Sequence, residues 1–130
     1  IDASMLLMRD LAMGKIKAAK NTFIAVIPVY NVGGMLNRNS HSRANQNGPE
    51  EYGFRGNGRN YDLNRDFIKS DTKNSRSFQQ LFTELKPDLF LDNHVSNGAD
   101  YQYTFTCIAT QHERLGNKLG YFFINDRYAT

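Results

Sequence analysis

The sequence has few of the residues that define several protein classes. Its 130 residues include one cysteine, Cys107, and no tryptophan. A single thiol excludes an internal disulfide framework and does not identify a compartment. No stretch is long and apolar enough to cross a bilayer, and no secretory signal is visible. Because the chain begins with Ile1 instead of methionine, we expect the beginning of the natural protein to be missing.

The charge balance also excludes a class of partner. The formal net charge is only +3, without the dense basic stripe that nucleic-acid binders usually carry, so no nucleic-acid partner is predicted. Hydrophobic residues make up 40% of the chain and aromatic residues 12%, which is typical of a globular protein and not of a disordered tail. The length suits a single domain with a modest core.

The first half of the chain predicts a helix, a strand and a long loop. Apolar residues recur at helical spacing over residues 1 to about 20, and lysines crowd the far end of that segment. The nearly unbroken apolar run over 22–30 predicts a strand buried on both faces. Residues 31–65 show no period, and a loop of that length is usually functional or disordered. Its aromatic residues favour a loop anchored to the body: Tyr52, Phe54 and Tyr61.

The second half predicts a helix over 74–86, because its apolar residues form one stripe, and Pro87 ends this helix. A short strand over 88–94 follows, then a turn at 97–98, a strand with one polar face over 101–107 and a helix over 111–124. This order predicts an α/β fold in which a mixed β-sheet is flanked by helices.

Three polar features lie where an α/β sheet holds its ligands, beyond the carboxyl ends of strands. The first is Asp92-Asn93-His94 at the end of a predicted strand. His94 could coordinate a metal or carry a proton, and Asp92 could orient its ring. The alternative is a histidine that only forms a hydrogen bond at a strand end.

The second feature is the run from Asp62 to Phe67, in which Asn64 and Arg65 offer several donors suited to a carboxylate or phosphate. The alternative is an arginine paired with Asp62 or Asp66 at the surface. The third is the glycine-rich run 53–58, where Arg55 could point a charge into a cleft. It is not a phosphate-binding fingerprint, since no strand precedes it and no Lys-Ser/Thr follows.

Three other residues are weaker candidates. His41 and His112 have no metal-ligand partners at useful spacing, so a surface role is expected for both. Cys107 lies on the core-facing side of a predicted strand, which favours packing over nucleophilic chemistry.

Taken in order, these features resemble the zinc metallocarboxypeptidases of the carboxypeptidase A type (family M14). Arg55 is followed by Leu-Asn-Arg-Asp-Phe, a helix, and a strand that ends in Asp-Asn-His. The resemblance spans nearly the whole chain and implies a portion of that family's α/β/α sandwich. It also implies that Arg55 polarises the scissile carbonyl, that Asn64 and Arg65 hold the substrate's terminal carboxylate, and that His94 is the third zinc ligand.

The sequence departs from the family pattern at both ends. The family takes its first two zinc ligands from a His-x-x-Glu motif before a helix, whereas this chain starts at that helix with Ile1. The family's general-base glutamate and capping tyrosine lie far beyond the third ligand, and this chain ends at Thr130. We therefore expect residues 1–130 to be a catalytic domain truncated at both ends, inactive and metal-free by itself, because a catalytic zinc needs three protein ligands.

The implied activity is removal of a C-terminal residue from a peptide with a free carboxylate. The resemblance favours a secreted or periplasmic location. Unpaired strand edges and exposed apolar surface would favour self-association of the chain. Two alternatives remain open from the sequence: a zinc-dependent deacylase or amidase of the same architecture, and a non-catalytic module that binds an anionic ligand through Arg55, Arg59 and Arg65.

Overall fold

The computed structural model describes residues 1–43, 49–95, 102–103, 106, 108, 110–111 and 114–121. The chain divides into two units, Ile1–Gly98 and Ala99–Thr130. The described part of the first unit holds three helices and a two-stranded antiparallel sheet, and that of the second holds one helix. The chain thus combines helices with a small sheet.

Helix α1 spans Asp2–Ala12 and is shorter than predicted. The backbone N–H of Met13 closes the last turn on the carbonyl of Arg9, and Gly14 then adopts a φ of 69°. Glycine enters this left-handed region without a Cβ clash and commonly ends helices there. The prediction of a helix to about residue 20 was wrong because it overlooked Gly14.

Short elements interrupt the predicted loop over 31–65. Helix α2 spans Val32–Leu36, and strand β1 (Arg38–Asn39) pairs antiparallel with β2 (Tyr52–Gly53). A 3₁₀ turn follows at Leu63–Arg65. Gly34 ties α2 to the segment after β2, since its carbonyl accepts a 2.8 Å hydrogen bond from the N–H of Phe54. Local hydrogen bonds therefore give the described parts of this segment, 31–43 and 49–65, a defined shape.

Helix α3 spans Lys73–Leu85, as its apolar stripe predicted. Thr72 caps its start, and Lys86 ends it in the left-handed conformation just before Pro87. Phe78 lies at the centre of an aromatic cluster, with ring centroids 5.4 Å from Phe67 and 5.8 Å from Tyr30. Edge-on and offset rings at such distances attract each other beyond the effect of burial alone. This cluster joins α3 to the segments on either side of the long loop.

The two apolar runs predicted as strands in the first unit do not form strands. Residues 22–27 have no regular structure, and neither do 89–95. Their large side chains stay exposed, as Phe23 at 79% and Leu91 at 72% illustrate. A strand buried on both faces requires hydrogen-bonded neighbours on its edges, and the only sheet among the described residues is the β1–β2 pair. The predicted mixed sheet flanked by helices is therefore not formed by the described residues.

In the second unit, helix α4 spans Gly116–Tyr121, which lies inside the helix predicted over 111–124. Most of the strand predicted over 101–107 lies outside the described residues, as do Cys107 and His112. Among the helices of the described chain, none has the length and apolar character needed to span a membrane.

Candidate functional site

Arg55 is held by a carboxylate across a tight loop. Its Nε donates to Oδ2 of Asp62 at 2.6 Å, and an isolated bridge between Gly56 and Asp62 closes the loop. Inside the loop, the side-chain oxygen of Asn57 accepts from the backbone N–H of Tyr61 at 3.0 Å. The Arg55 side chain is half exposed, so its guanidinium faces solvent while one of its nitrogens is engaged.

The same aspartate begins the 3₁₀ turn that carries Asn64 and Arg65. Oδ1 of Asp62 accepts from the backbone N–H of Asn64 at 3.0 Å, while Oδ2 binds Arg55. Leu63 anchors the turn to the interior, since only 3% of its surface is exposed. Both Asn64 and Arg65 are exposed, and Nη1 of Arg65 donates to the Asn64 carbonyl at 3.3 Å. Asp62 thus connects Arg55 with the turn that carries the other two predicted ligand-binding residues.

Asp66 ends the turn and is 4% exposed. Its Oδ2 accepts from Ser75 Oγ and Thr72 Oγ1, both at 2.6 Å, and from the Thr72 N–H at 3.0 Å. Its Oδ1 accepts from the N–H of Asp71 at 2.8 Å. The hydrogen bonds from the Ser75 and Thr72 hydroxyls hold the pKa of Asp66 well below its usual range, against the opposing effect of burial. Asp66 is therefore a fixed carboxylate that joins the 3₁₀ turn to the start of α3.

These contacts contradict the alternative in which Arg65 forms a surface ion pair with Asp62 or Asp66. Asp62 pairs with Arg55, and Asp66 is buried among hydroxyl groups. The sequence interpretation missed the role of Asp66, although one indication was present: Thr72 stands directly before the apolar stripe of α3, as a helix-capping residue does. Nothing in the spacing indicated that an aspartate six residues upstream would bind that cap.

His94 and Asp92 form a second, separate pair. His94 Nε2 lies 3.0 Å from Oδ2 of Asp92, and both side chains are about half exposed. This contact engages Nε2 and leaves Nδ1 as the ring nitrogen for another partner. Among the described residues, no hydrogen bond or ion pair connects His94 with Arg55, Asn64 or Arg65.

A zinc site requires more ligands than this pair offers. Zinc in proteins is usually held by three or four histidine, cysteine or carboxylate side chains. In the part of the chain that the structure describes, no three such side chains are grouped closely enough to hold a metal ion. His41 lies among exposed residues, where its backbone N–H donates to Oδ1 of Asn39 at 3.1 Å. The described residues therefore do not fit a zinc ion, and His94 with Asp92 is at most part of a ligand set.

A groove of about 320 Å³ lies beside the start of α3, and its lining includes three basic side chains, Arg59, Lys73 and Arg76, and one acidic one, Asp71. Arg76 donates to the Ser70 carbonyl at 3.3 Å, and Asp71 forms a 3.7 Å ion pair with Lys69. Within the described ranges, the side chains of Arg59 and Lys73 form no ion pair. The groove is therefore electropositive.

Comparison with protein-family models, with curated proteins and with solved structures found no match to this chain.

Proposed function

We propose that this chain forms the carboxylate-recognising part of a zinc-dependent metallocarboxypeptidase, a hydrolase that removes C-terminal residues from peptides. The observation that carries the proposal is the double contact of Asp62, which binds the Arg55 guanidinium through one oxygen and the Asn64 N–H through the other. The Asp62 carbonyl also accepts from the N–H of Arg65 at 3.0 Å, so this one residue joins Arg55 to the two residues whose donors suit a carboxylate.

In the proposed role, Asn64 and Arg65 bind the free carboxylate of a peptide terminus. An internal peptide bond offers no carboxylate to these donors, so they would restrict cleavage to chain ends. Arg55 would lie next to the carbonyl of the last peptide bond, with Asp62 fixing Nε and leaving the terminal nitrogens for the ligand. His94 is proposed as one zinc ligand of the complete site, oriented by Asp92.

Carboxylate recognition is tested by comparing a short peptide that has a free C-terminus with its C-terminal amide. Isothermal titration of the chain should show binding of the free acid that is at least tenfold tighter than that of the amide. Arg65→Gln should remove the difference, whereas Arg59→Gln, a change at a nearby exposed arginine outside the turn, should keep it. Equal affinities of the unmodified chain for acid and amide would contradict the proposal.

A second candidate is a module that binds an anionic ligand without catalysis, and the electropositive groove around Arg59, Lys73 and Arg76 favours it. The two candidates predict opposite results for Arg59→Gln and Arg65→Gln. If anions bind in the groove, Arg59→Gln weakens the binding of inorganic phosphate and of peptide acids alike, and Arg65→Gln leaves it unchanged. Binding to nucleic acid would additionally weaken steeply as salt rises.

A further inference from the structure

The 3₁₀ turn Leu63–Arg65 is fixed at both ends by an aspartate. At its entry, Asp62 accepts from the N–H of Asn64, and at its exit the N–H of Asp66 donates to the Leu63 carbonyl at 3.2 Å. The apolar anchor between them, Leu63, is buried. The backbone of the turn therefore has little freedom, while the side chains of Asn64 and Arg65 extend into solvent.

The exit is the stronger of the two attachments. The buried carboxylate of Asp66 accepts four hydrogen bonds, all from the segment 71–75 at the start of α3. Because the one Ser75 hydroxyl proton goes to Asp66, the Tyr30 hydroxyl 3.3 Å away donates to Ser75 Oγ. Hydrogen bonds to a charged acceptor are about twice as strong as those between neutral groups. The turn is thus attached to α3, the longest helix in the described part of the unit.

Thr72 would cap α3 without this carboxylate, since its hydroxyl oxygen already accepts from the Ser75 N–H at 3.1 Å. The additional contacts of Asp66 therefore also attach the end of the 3₁₀ turn to the start of the helix. Because Asp66 directly follows Arg65, they hold the backbone next to Arg65. The Arg65 guanidinium forms one hydrogen bond among the described residues, to the neighbouring Asn64 carbonyl, so its placement depends on the backbone that carries it.

We propose that Asp66 is a positioning residue for carboxylate recognition: it holds Asn64 and Arg65 against α3 so that their donors converge on one ligand carboxylate. This inference rests on the proposed function. Rigid placement matters because, in enzymes, misplacing the groups that position a substrate by about 1 Å can lower the reaction rate about 100-fold. Since hydrogen bonding keeps the pKa of Asp66 below its usual range, the attachment persists wherever a peptide terminus is ionised.

The test uses Asp66→Asn, which keeps the shape of the side chain and removes its charge. The amide NH₂ of asparagine would face donors instead of acceptors, so the attachment should loosen. The matched control is Asp88→Asn, because Asp88 is an exposed aspartate just after α3 that lies outside both the 3₁₀ turn and the groove. Titrations use the free-acid peptide and its amide, and circular dichroism monitors the fold.

We expect folded Asp66→Asn to bind the free acid at least tenfold more weakly and the amide unchanged, with the control like the unmodified chain. A purely structural role would weaken both ligands together or neither, and either result in a folded variant overturns the proposal. If Asp66→Asn does not fold, Ser75→Ala decides. It removes one of four donors and should reduce the preference for the acid about threefold, so an unchanged preference overturns the proposal. If the unmodified chain shows no preference, the proposed function itself fails, and this inference fails with it.

Discussion

Asp62 uses one carboxylate oxygen to hold Arg55 and the other to begin the turn that contains Asn64. The ion pair is partly exposed, with half of the Arg55 side chain accessible, so it is screened by solvent and contributes little to stability. Its consequence is geometric: the orientation of the guanidinium and that of the turn are set by the same side chain.

A double-mutant cycle on this pair should therefore give a small coupling energy. For Arg55→Gln and Asp62→Asn we expect about 0.2–1 kcal/mol in the free energy of unfolding, measured by urea denaturation. Asp62→Asn is chosen because asparagine keeps an oxygen for the Asn64 N–H. A coupling energy well above this range would mean that the pair stabilises the fold and does not only orient Arg55.

Gly34 should tolerate no side chain, because of the close approach of α2 to the segment after β2. A Cβ at this position would overlap the Phe54 carbonyl oxygen and the Asn31 amide, and Gly34 is buried. We expect Gly34→Ala to destabilise the unit by about 1–3 kcal/mol, the usual cost of overpacking. Gly58→Ala is the matched control, since a Cβ there meets nothing within 4 Å. Thermal melting compares the two, and equal melting temperatures would contradict the packing described for α2.

Acid should weaken the fold partly through Asp66. Its pKa is lowered in the folded state by the Ser75 and Thr72 hydroxyls, so between the folded and unfolded pKa values the native chain binds fewer protons than the unfolded chain. The stabilisation is therefore complete above the unfolded pKa of about 3.9 and declines as the pH falls below it.

Urea denaturation of the chain and of Asp66→Asn at several pH values measures this contribution. The difference in unfolding free energy between the two should be constant from about pH 5 upward and should shrink below about pH 4. All other carboxylates are common to both proteins, so their effects cancel in the difference. A difference that grows on acidification would contradict the lowered pKa of Asp66 in the folded chain.

What the sequence could predict depends on how local the determinants are. The apolar stripe, the cap and the proline that define α3 all lie within or beside the helix, and the helix formed as predicted. The apolar runs at 22–30 and 88–94 needed neighbouring strands, so their composition alone was insufficient. In the site, Asn64 and Arg65 could be paired because they are neighbours in the sequence. The burial of Asp66 depends on the chain folding back so that Ser75, nine residues later, binds its carboxylate, and no sequence pattern specified that.

The chain should hold no stoichiometric zinc as a monomer, because the described residues offer no grouped ligands beyond the pair of His94 and Asp92, which is too few to compete with water for the ion. Elemental analysis of the monomer after dialysis should give well below one equivalent. The variant His94→Ala provides the control, since any remaining adventitious zinc should be the same with and without the imidazole. One tightly bound equivalent that disappears in His94→Ala would contradict the prediction and would mean that this chain supplies further ligands. Association of two chains through their histidines is distinguished by repeating the analysis across a range of protein concentrations, where shared zinc rises with concentration and a complete site within one chain does not.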